Sequence, residues 1–159
     1  VRGSEALNGK AVGLYFSAHW CPPCRAFTPV LAEVYRTLKH KRDDFEVVFV
    51  SGDRDAAQAE EYFARMPWLA IPFEEHTVRQ QLSSKFSVMG IPRLVIVAPD
   101  GEASFASFVL PGIQGIALIC AFLGVQVIAN DARSAVMSDR RGEQFPWKGA
   151  SSGSQGLIG

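Results

Sequence analysis

The sequence predicts an α/β fold, and three observations carry that expectation. Short apolar runs rich in β-branched and aromatic residues recur at Ala11–Ala18, Phe45–Ser51 and Arg93–Ala98. Between them, apolar residues repeat at helical spacing, most clearly over Cys24–His40. Hydrophobic residues make up 48% of the 159, enough for one domain with a real core and too many for global disorder. Strands alternating with helices point to a parallel sheet covered on both faces.

Ala11–Ala18 has the length and the β-branched and aromatic members of a buried strand. Over Cys24–His40, Phe27, Val30, Leu31, Val34, Tyr35 and Leu38 fall on one helical stripe. Pro22 and Pro23 stand where a first turn tolerates proline, because N–H groups there lack helical partners anyway. Pro29 lies inside the helix and is expected to kink it. Lys39–Asp44 reads as a charged loop and Phe45–Ser51 as a second buried strand. Asp53 or Asp55 can cap a helix running to about Arg65. Met66–Pro72 reads as a proline-punctuated turn, Thr77–Phe86 as a short helix and Arg93–Ala98 as a third strand. Pro99-Asp100-Gly101 is a strong turn signal. The domain is expected to span 1–148, with 149–159 as a flexible tail.

Lys+Arg and Asp+Glu both number 16, so the net charge is zero and nothing electrostatic favours nucleic acid. There are three cysteines: Cys21 and Cys24 form a close pair, and Cys120 lies in an apolar run. A stapled secreted domain normally has more cysteines at wider spacing. Zinc would want four ligands, and a second pair is missing while His19, His40 and His76 are scattered, so no metal is expected. Val1–Lys10 is polar and lacks the apolar stretch of a signal peptide, although opening on Val1 is what a fragment of a longer chain would show. The expected location is the cytoplasm, with the nucleus also open.

The informative segment is Ser17-Ala-His-Trp-Cys-Pro-Pro-Cys-Arg25, where a strand ends and a helix begins. Two thiols at this spacing can close a small disulfide ring. Cys21, at the helix N-terminus, faces unpaired backbone N–H groups and the positive end of the dipole. Such placement lowers a thiol pKa from about 8.5 toward roughly 7. An accessible, partly ionised Cys21 can attack a substrate disulfide, and Cys24 can resolve the mixed disulfide. His19 can stabilise the thiolate as a cation or simply stand exposed in the loop, and Trp20 can cap the core, form a lip of the substrate groove, or both. Ile91-Pro92 precedes the third strand, where a proline that cannot donate to a ladder belongs.

Tyr15-Phe-Ser-Ala-His-Trp-Cys-Pro-Pro-Cys-Arg25 resembles the active-site segment of nucleoredoxins and tryparedoxins. Phe45–Ser51, Met66-Pro-Trp-Leu-Ala-Ile-Pro-Phe73, Gly90-Ile-Pro92 and Glu143-Gln-Phe-Pro-Trp147 are similar to that branch of the thioredoxin superfamily as well. The resemblance covers about Leu7–Glu102 and Val127–Lys148. It implies a thioredoxin-like fold with a central mixed β-sheet flanked by helices. It also implies reduction of disulfides in protein substrates, with no bound cofactor. Electrons would come from a thioredoxin-reductase-type enzyme or a low-molecular-weight dithiol. By the same resemblance Cys21 is the nucleophile, Cys24 the resolving thiol and Pro92 a cis-proline beside them. Trp20, Pro22, Pro23 and Ile91 are then the substrate-facing residues. A redox-sensing module that holds protein partners and releases them on oxidation is the alternative.

Two departures stand out. Thioredoxins carry a buried acid six positions before the first cysteine, and here that position is Tyr15, which leaves the proton acceptor for Cys24 open. The last strand expected by resemblance continues at Val127–Arg133, after 24 extra residues, Ala103–Gln126. No charged residue occurs from Ala103 to Asn130. That segment reads as a splice-derived or non-native insertion, as a packed insertion, or as a membrane segment.

Overall fold

Strand β1 (Ala11–Ser17) is buried along its whole length because it is paired on both edges. On one side it runs parallel to β2 (Phe45–Ser51), with Ala11 opposite Phe45 and Ser17 opposite Ser51. On the other it runs antiparallel to β4 (Arg93–Val97), with Phe16 opposite Arg93 and Val12 opposite Val97. A two-residue β3 (Leu69–Ala70) adds in parallel to β2, and β5 (Val127–Ala129) adds antiparallel to β4. The computed structural model describes residues 7, 9–98 and 126–151, and its sheet order is β3-β2-β1-β4-β5.

The helices are α1 (Pro22–Lys41), α2 (Ala56–Phe63), α3 (His76–Lys85) and α4 (Arg133–Ser138). The period of two in the strands sorts their side chains onto two faces. Tyr15, Phe45, Val47, Phe49, Leu94 and Ile96 pack with Leu31, Val34 and Leu38 of α1 and Val136 of α4. Val12, Leu14, Phe16, Val48, Val50, Val95 and Val97 pack with Val78 and Leu82 of α3. Both faces are therefore covered, as the sequence predicts.

The sheet is mixed, as the resemblance implies, whereas the alternation of strands and helices alone suggests a purely parallel one. β3 ends at the edge of the sheet where β4 starts, so α3 begins and ends at that edge and turns the chain around. Met66–Pro72 is likewise more than a turn. Leu69 and Ala70 find partners at Val48 and Phe49, and the Ile71 N–H donates to the Phe49 carbonyl (3.0 Å). Asp55 rather than Asp53 caps α2, its carboxylate accepting from the Gln58 N–H (2.9 Å). α1 starts at Pro22, two residues earlier than its apolar stripe, and runs on through Pro29. Its last turn carries Lys39 and Lys41, cations that suit the negative end of the dipole.

β5 stops at Ala129, short of the strand expected over Val127–Arg133. The Asp131 carboxylate accepts from both the backbone and the guanidinium of Arg133 (3.3 and 2.7–2.9 Å) and so opens α4 instead. Gly149 and Ala150, expected in the tail, are hydrogen-bonded to the domain. The Gly149 N–H donates to Ile128, and the Ala150 carbonyl accepts from Asn130 and Asp131 (2.8–3.1 Å).

The expected insertion, 103–126, and Cys120 lie outside the described residues except for Gln126, as does the turn at 99–101. Its flanks are informative. The Ala98 N–H donates to the Gln126 carbonyl (2.8 Å), so the two ends are one hydrogen bond apart. They leave the sheet beside Val12, whereas Cys21 follows the other end of β1. Among the described residues no helix is long and apolar enough to cross a membrane.

Beyond α4 the chain is folded around Asp139. Its carboxylate accepts from the Glu143 and Gln144 N–H groups and the Trp147 indole N–H (2.8–2.9 Å). Burial pushes this carboxyl up, but the Gln144 N–H, the Trp147 indole, the Glu143 N–H and the Lys41 charge outweigh it and hold the pKa below the usual carboxylate value. Gly142, at φ +65°, lets this loop close onto α1: a Cβ there would stand 2.6 Å from Leu38 Cδ2.

Two expectations follow. In Asp139→Asn the amide NH₂ must face an N–H donor in either orientation, so urea unfolding at pH 7 should show a loss of about 1–3 kcal/mol. Because the folded pKa is depressed, that contribution is present above the unfolded value of about 3.9 and disappears as pH falls through the folded one. The variant and parent should therefore converge in acid. Removing Ala103–Gln126 should leave a soluble domain with its dithiol intact, measured by circular dichroism and thiol titration. An unfolded deletion variant beside a soluble parent would show that the segment belongs to the core.

Candidate active site

Cys21 is the N-cap of α1, and Cys24 lies one turn inside it. The two are joined in a disulfide with their Cα atoms 5.2 Å apart. Cys24 is fully buried, and Cys21 is 5% exposed. Cys21 is the outer of the pair, as the spacing predicts, yet it is more enclosed than an accessible thiol was expected to be. The reason is its neighbours: Ala18 and Ile91 pack against the disulfide.

The Ile91–Pro92 peptide bond is cis, and the Ile91 carbonyl oxygen lies 3.9 Å from Cys21 Sγ. Because β4 is antiparallel to β1, its first residue is opposite Phe16, and the residues just before it fall beside the start of α1. Ile91 supplies the contact with the dithiol, and Pro92 follows it as a buried residue at the strand entrance. A second cis bond, Phe145–Pro146, lies away in the Asp139 loop.

Trp20 is 46% exposed and donates from Nε1 to the Gly52 carbonyl (3.1 Å). The ring therefore stands at the surface next to Cys21 rather than capping the core. Pro22 and Pro23 are exposed beside it. The His19 ring stacks on Tyr62 at 5.6 Å, and its backbone N–H donates to Asp53 Oδ1 (2.7 Å). Arg25 Nη1 donates to the His19 carbonyl (2.9 Å). Asp53, itself buried, also accepts from Ser51 Oγ (2.8 Å). The loop before Cys21 is thus pinned by residues from the end of β2, which sequence spacing did not single out.

Beneath Cys24 lies a cluster of four buried hydroxyls from Tyr15, Ser17, Thr28 and Tyr62. Thr28 Oγ1 donates to the Cys24 carbonyl (3.0 Å) and lies 2.8 Å from the Tyr15 hydroxyl and 2.6 Å from that of Tyr62. Ser17 Oγ donates to the Tyr15 hydroxyl (3.1 Å) and lies 2.9 Å from that of Tyr62. Each of the four protons has an acceptor: Tyr62 and Tyr15 can both donate to Thr28, Ser17 donates to Tyr15, and Thr28 donates to the Cys24 carbonyl. Burial pushes the Tyr15 phenol far above its ordinary range, Tyr62 adds to this, and the bonds to Ser17 and Thr28 oppose it only in part. Tyr15 therefore stays neutral and is no substitute base for the missing acid. Thr28 was legible as the one polar residue four positions after Cys24 on an apolar stripe, whereas Tyr62 comes from a different helix and left no such mark.

Among the described residues no group of three or more His, Cys, Asp and Glu is placed to hold a metal ion. A mixed sheet, a helix opening on a disulfide-forming Cys-x-x-Cys pair and a cis-proline loop against it define a thioredoxin-fold oxidoreductase. The chain belongs to the thioredoxin-like family, whose sequence profile matches residues 8–103. It is 38% identical to mouse nucleoredoxin over 144 residues, which is 91% of this chain but 28% of that protein. The chain thus spans less than a third of the nucleoredoxin it matches. It is 39% identical to tryparedoxin of Trypanosoma brucei brucei over 142 residues, covering 89% of this chain and 82% of the relative. Tryparedoxin I of Crithidia fasciculata superposes with a TM-score of 0.72 at 41% identity, covering 92% and 85% of the two chains. A tryparedoxin II solved in complex with glutathionylspermidine gives the same score at 36% identity, covering 91% and 84%.

Tyr15→Phe removes one member of the hydroxyl cluster: Thr28 loses a donor and Ser17 must turn to Tyr62. We expect a loss of about 1–3 kcal/mol in urea unfolding. The pH dependence of thiol alkylation should keep its shape below about pH 10, because the lost phenol was neutral there. A new inflection in that profile would show that Tyr15 takes part in proton transfer.

Proposed function

We propose that this chain reduces disulfides in protein substrates through the Cys21–Cys24 dithiol. The observation that carries the reading is the asymmetry of the pair: Cys21 caps a helix beside the Ile91 carbonyl and the exposed Trp20 lip, while Cys24 is sealed beneath it. In the reduced protein the Cys21 thiolate attacks one sulfur of a substrate disulfide. That bond breaks, a Cys21–substrate disulfide forms, and the other substrate sulfur leaves as thiolate. Cys24, losing its proton to water, then attacks Cys21 Sγ, which closes the Cys21–Cys24 disulfide and releases the second substrate thiolate. Two electrons have passed to the substrate.

The oxidised pair must be reduced again from outside, since the reading includes no bound cofactor. A thioredoxin-reductase-type enzyme and a low-molecular-weight dithiol are the two donor classes, and the tryparedoxin II complex with glutathionylspermidine, a small thiol, is in keeping with the second. Trp20, Pro22, Pro23 and Ile91 are the substrate-facing residues in this scheme, and Pro92 holds Ile91 against the dithiol. The cytoplasm, or the nucleus as well, is where a dithiol kept reduced would work. The second reading, a redox-sensing module that releases a partner on oxidation, is favoured by the same exposed lip.

Cys21→Ser should abolish insulin disulfide reduction driven by dithiothreitol. Cys24→Ser should instead accumulate mixed disulfides at Cys21, identifiable by mass spectrometry. In the reduced parent, Cys21 should be alkylated faster than Cys24. Equal rates would remove the assignment of roles. Stoichiometric partner binding that is lost on oxidation, without turnover, would favour the sensing module.

A further inference from the structure

We propose that the rim of the dithiol is a docking surface for acidic peptide segments that carry the target disulfide. This rests on the exchange reaction proposed above and names its substrate class. Arg54 is exposed, and its guanidinium lies 5.7 Å from the centre of the Trp20 ring, so a cation stands against the lip of the site. Arg25 is exposed on the first turn of α1 and spends one donor on the His19 carbonyl. A guanidinium has five N–H donors in a fork that suits carboxylates. Among the described residues neither arginine takes part in any of the ion pairs.

The nearby carboxylates do not cancel this charge. Asp53 is buried, its oxygens occupied by the His19 N–H and Ser51 Oγ. Its charge acts on Arg79, which donates to the Ser51 and Phe73 carbonyls behind the loop. Asp55 is held by the Gln58 N–H and side-chain amide at the start of α2. Arg25 and Arg54 thus present outward charge beside Trp20. The same rim is apolar at contact level. Trp20 is 46% exposed, Met89, two residues before Ile91, is 93% exposed, and Pro22 and Pro23 lie open. Such a surface fits a peptide with apolar side chains at the disulfide and Asp or Glu flanking it, and disfavours a basic one by like-charge repulsion.

The test uses three disulfide-bonded peptides that differ only in flanking Glu, Ser or Lys. With exposed ion pairs each worth about 1.5- to 5-fold, two of them should give the Glu peptide roughly 2- to 25-fold over the Ser peptide in kcat/KM at low salt. Like-charge repulsion of the Lys peptide should make the Glu-to-Lys ratio roughly 5-fold or more. The advantage should shrink as added salt shortens the screening length to a few ångströms. Arg54→Glu should collapse or invert the ratio. Arg141→Glu makes the same charge change at the far end of α1, where the Arg141 carbonyl accepts from Lys41 Nζ, and should keep it. Binding is read separately, from the Trp20 indole resonance of the oxidised protein titrated with cysteine-free versions of the peptides. Reduction of all three at equal efficiency, or a ratio unmoved by Arg54→Glu, would overturn the proposal. If no peptide is reduced, disulfide reduction fails as the function. The titration still decides the docking surface: tighter binding of the Glu peptide retains it, and equal binding removes it.

Discussion

Strand β1 is the constraint on which the rest depends. It is hydrogen-bonded on both edges, in parallel to β2 and antiparallel to β4, and no part of it reaches solvent. That pairing sets two positions at once. It brings the C-terminal ends of β1 and β2 together, so that Asp53 and Gly52 can hold His19 and Trp20. It also brings the start of β4 to the same edge, so that Ile91 meets Cys21. A one-residue slip would turn Tyr15 and Ser17 away from α1 and dismantle both arrangements.

The polar groups inside the domain show two solutions to one problem. Burying a polar atom is costly unless it is paired. Under Cys24 the chain uses neutral hydroxyls that satisfy one another. Near the C-terminal end of α1 it uses a charged carboxylate, Asp139, and surrounds it with three N–H donors. The first arrangement packs four polar side chains beneath Cys24 without a charge among them. The second fixes a loop that seals the other end of the helix, with Gly142 giving the close approach to Leu38.

These two ends divide the labour of the fold. The dithiol, the cis Ile91–Pro92 bond and the Trp20 lip collect at one edge of the sheet. The β4–β5 pairing, through which the chain departs at Ala98 and returns at Gln126, is at the opposite edge. About five residues of extended chain, roughly 15 Å, separate them. The point at which additional sequence enters between β4 and β5 is thus remote from the residues proposed to do chemistry.

The strands and long helix were legible from the sequence because each has a local cause. Period-two and period-3.6 patterns of apolar residues mark Phe45–Ser51 and α1 without reference to the rest of the chain. The dithiol was legible for the same reason: its spacing, its prolines and its place before a helix are all local features. What depends on distant partners was not. The antiparallel direction of β4 and the two-residue β3 exist only because β1 and β2 offer free edges. Met66–Pro72 therefore read as a turn. The hydroxyl cluster joins residues up to 45 positions apart, and the Trp20 lip takes its place from Gly52 and Arg54. Local patterning decided which segments are strands and helices and where the reactive pair sits. Tertiary packing decided what surrounds that pair, because hydrogen bonds, ring contacts and charges act between residues that only the folded chain brings within a few ångströms.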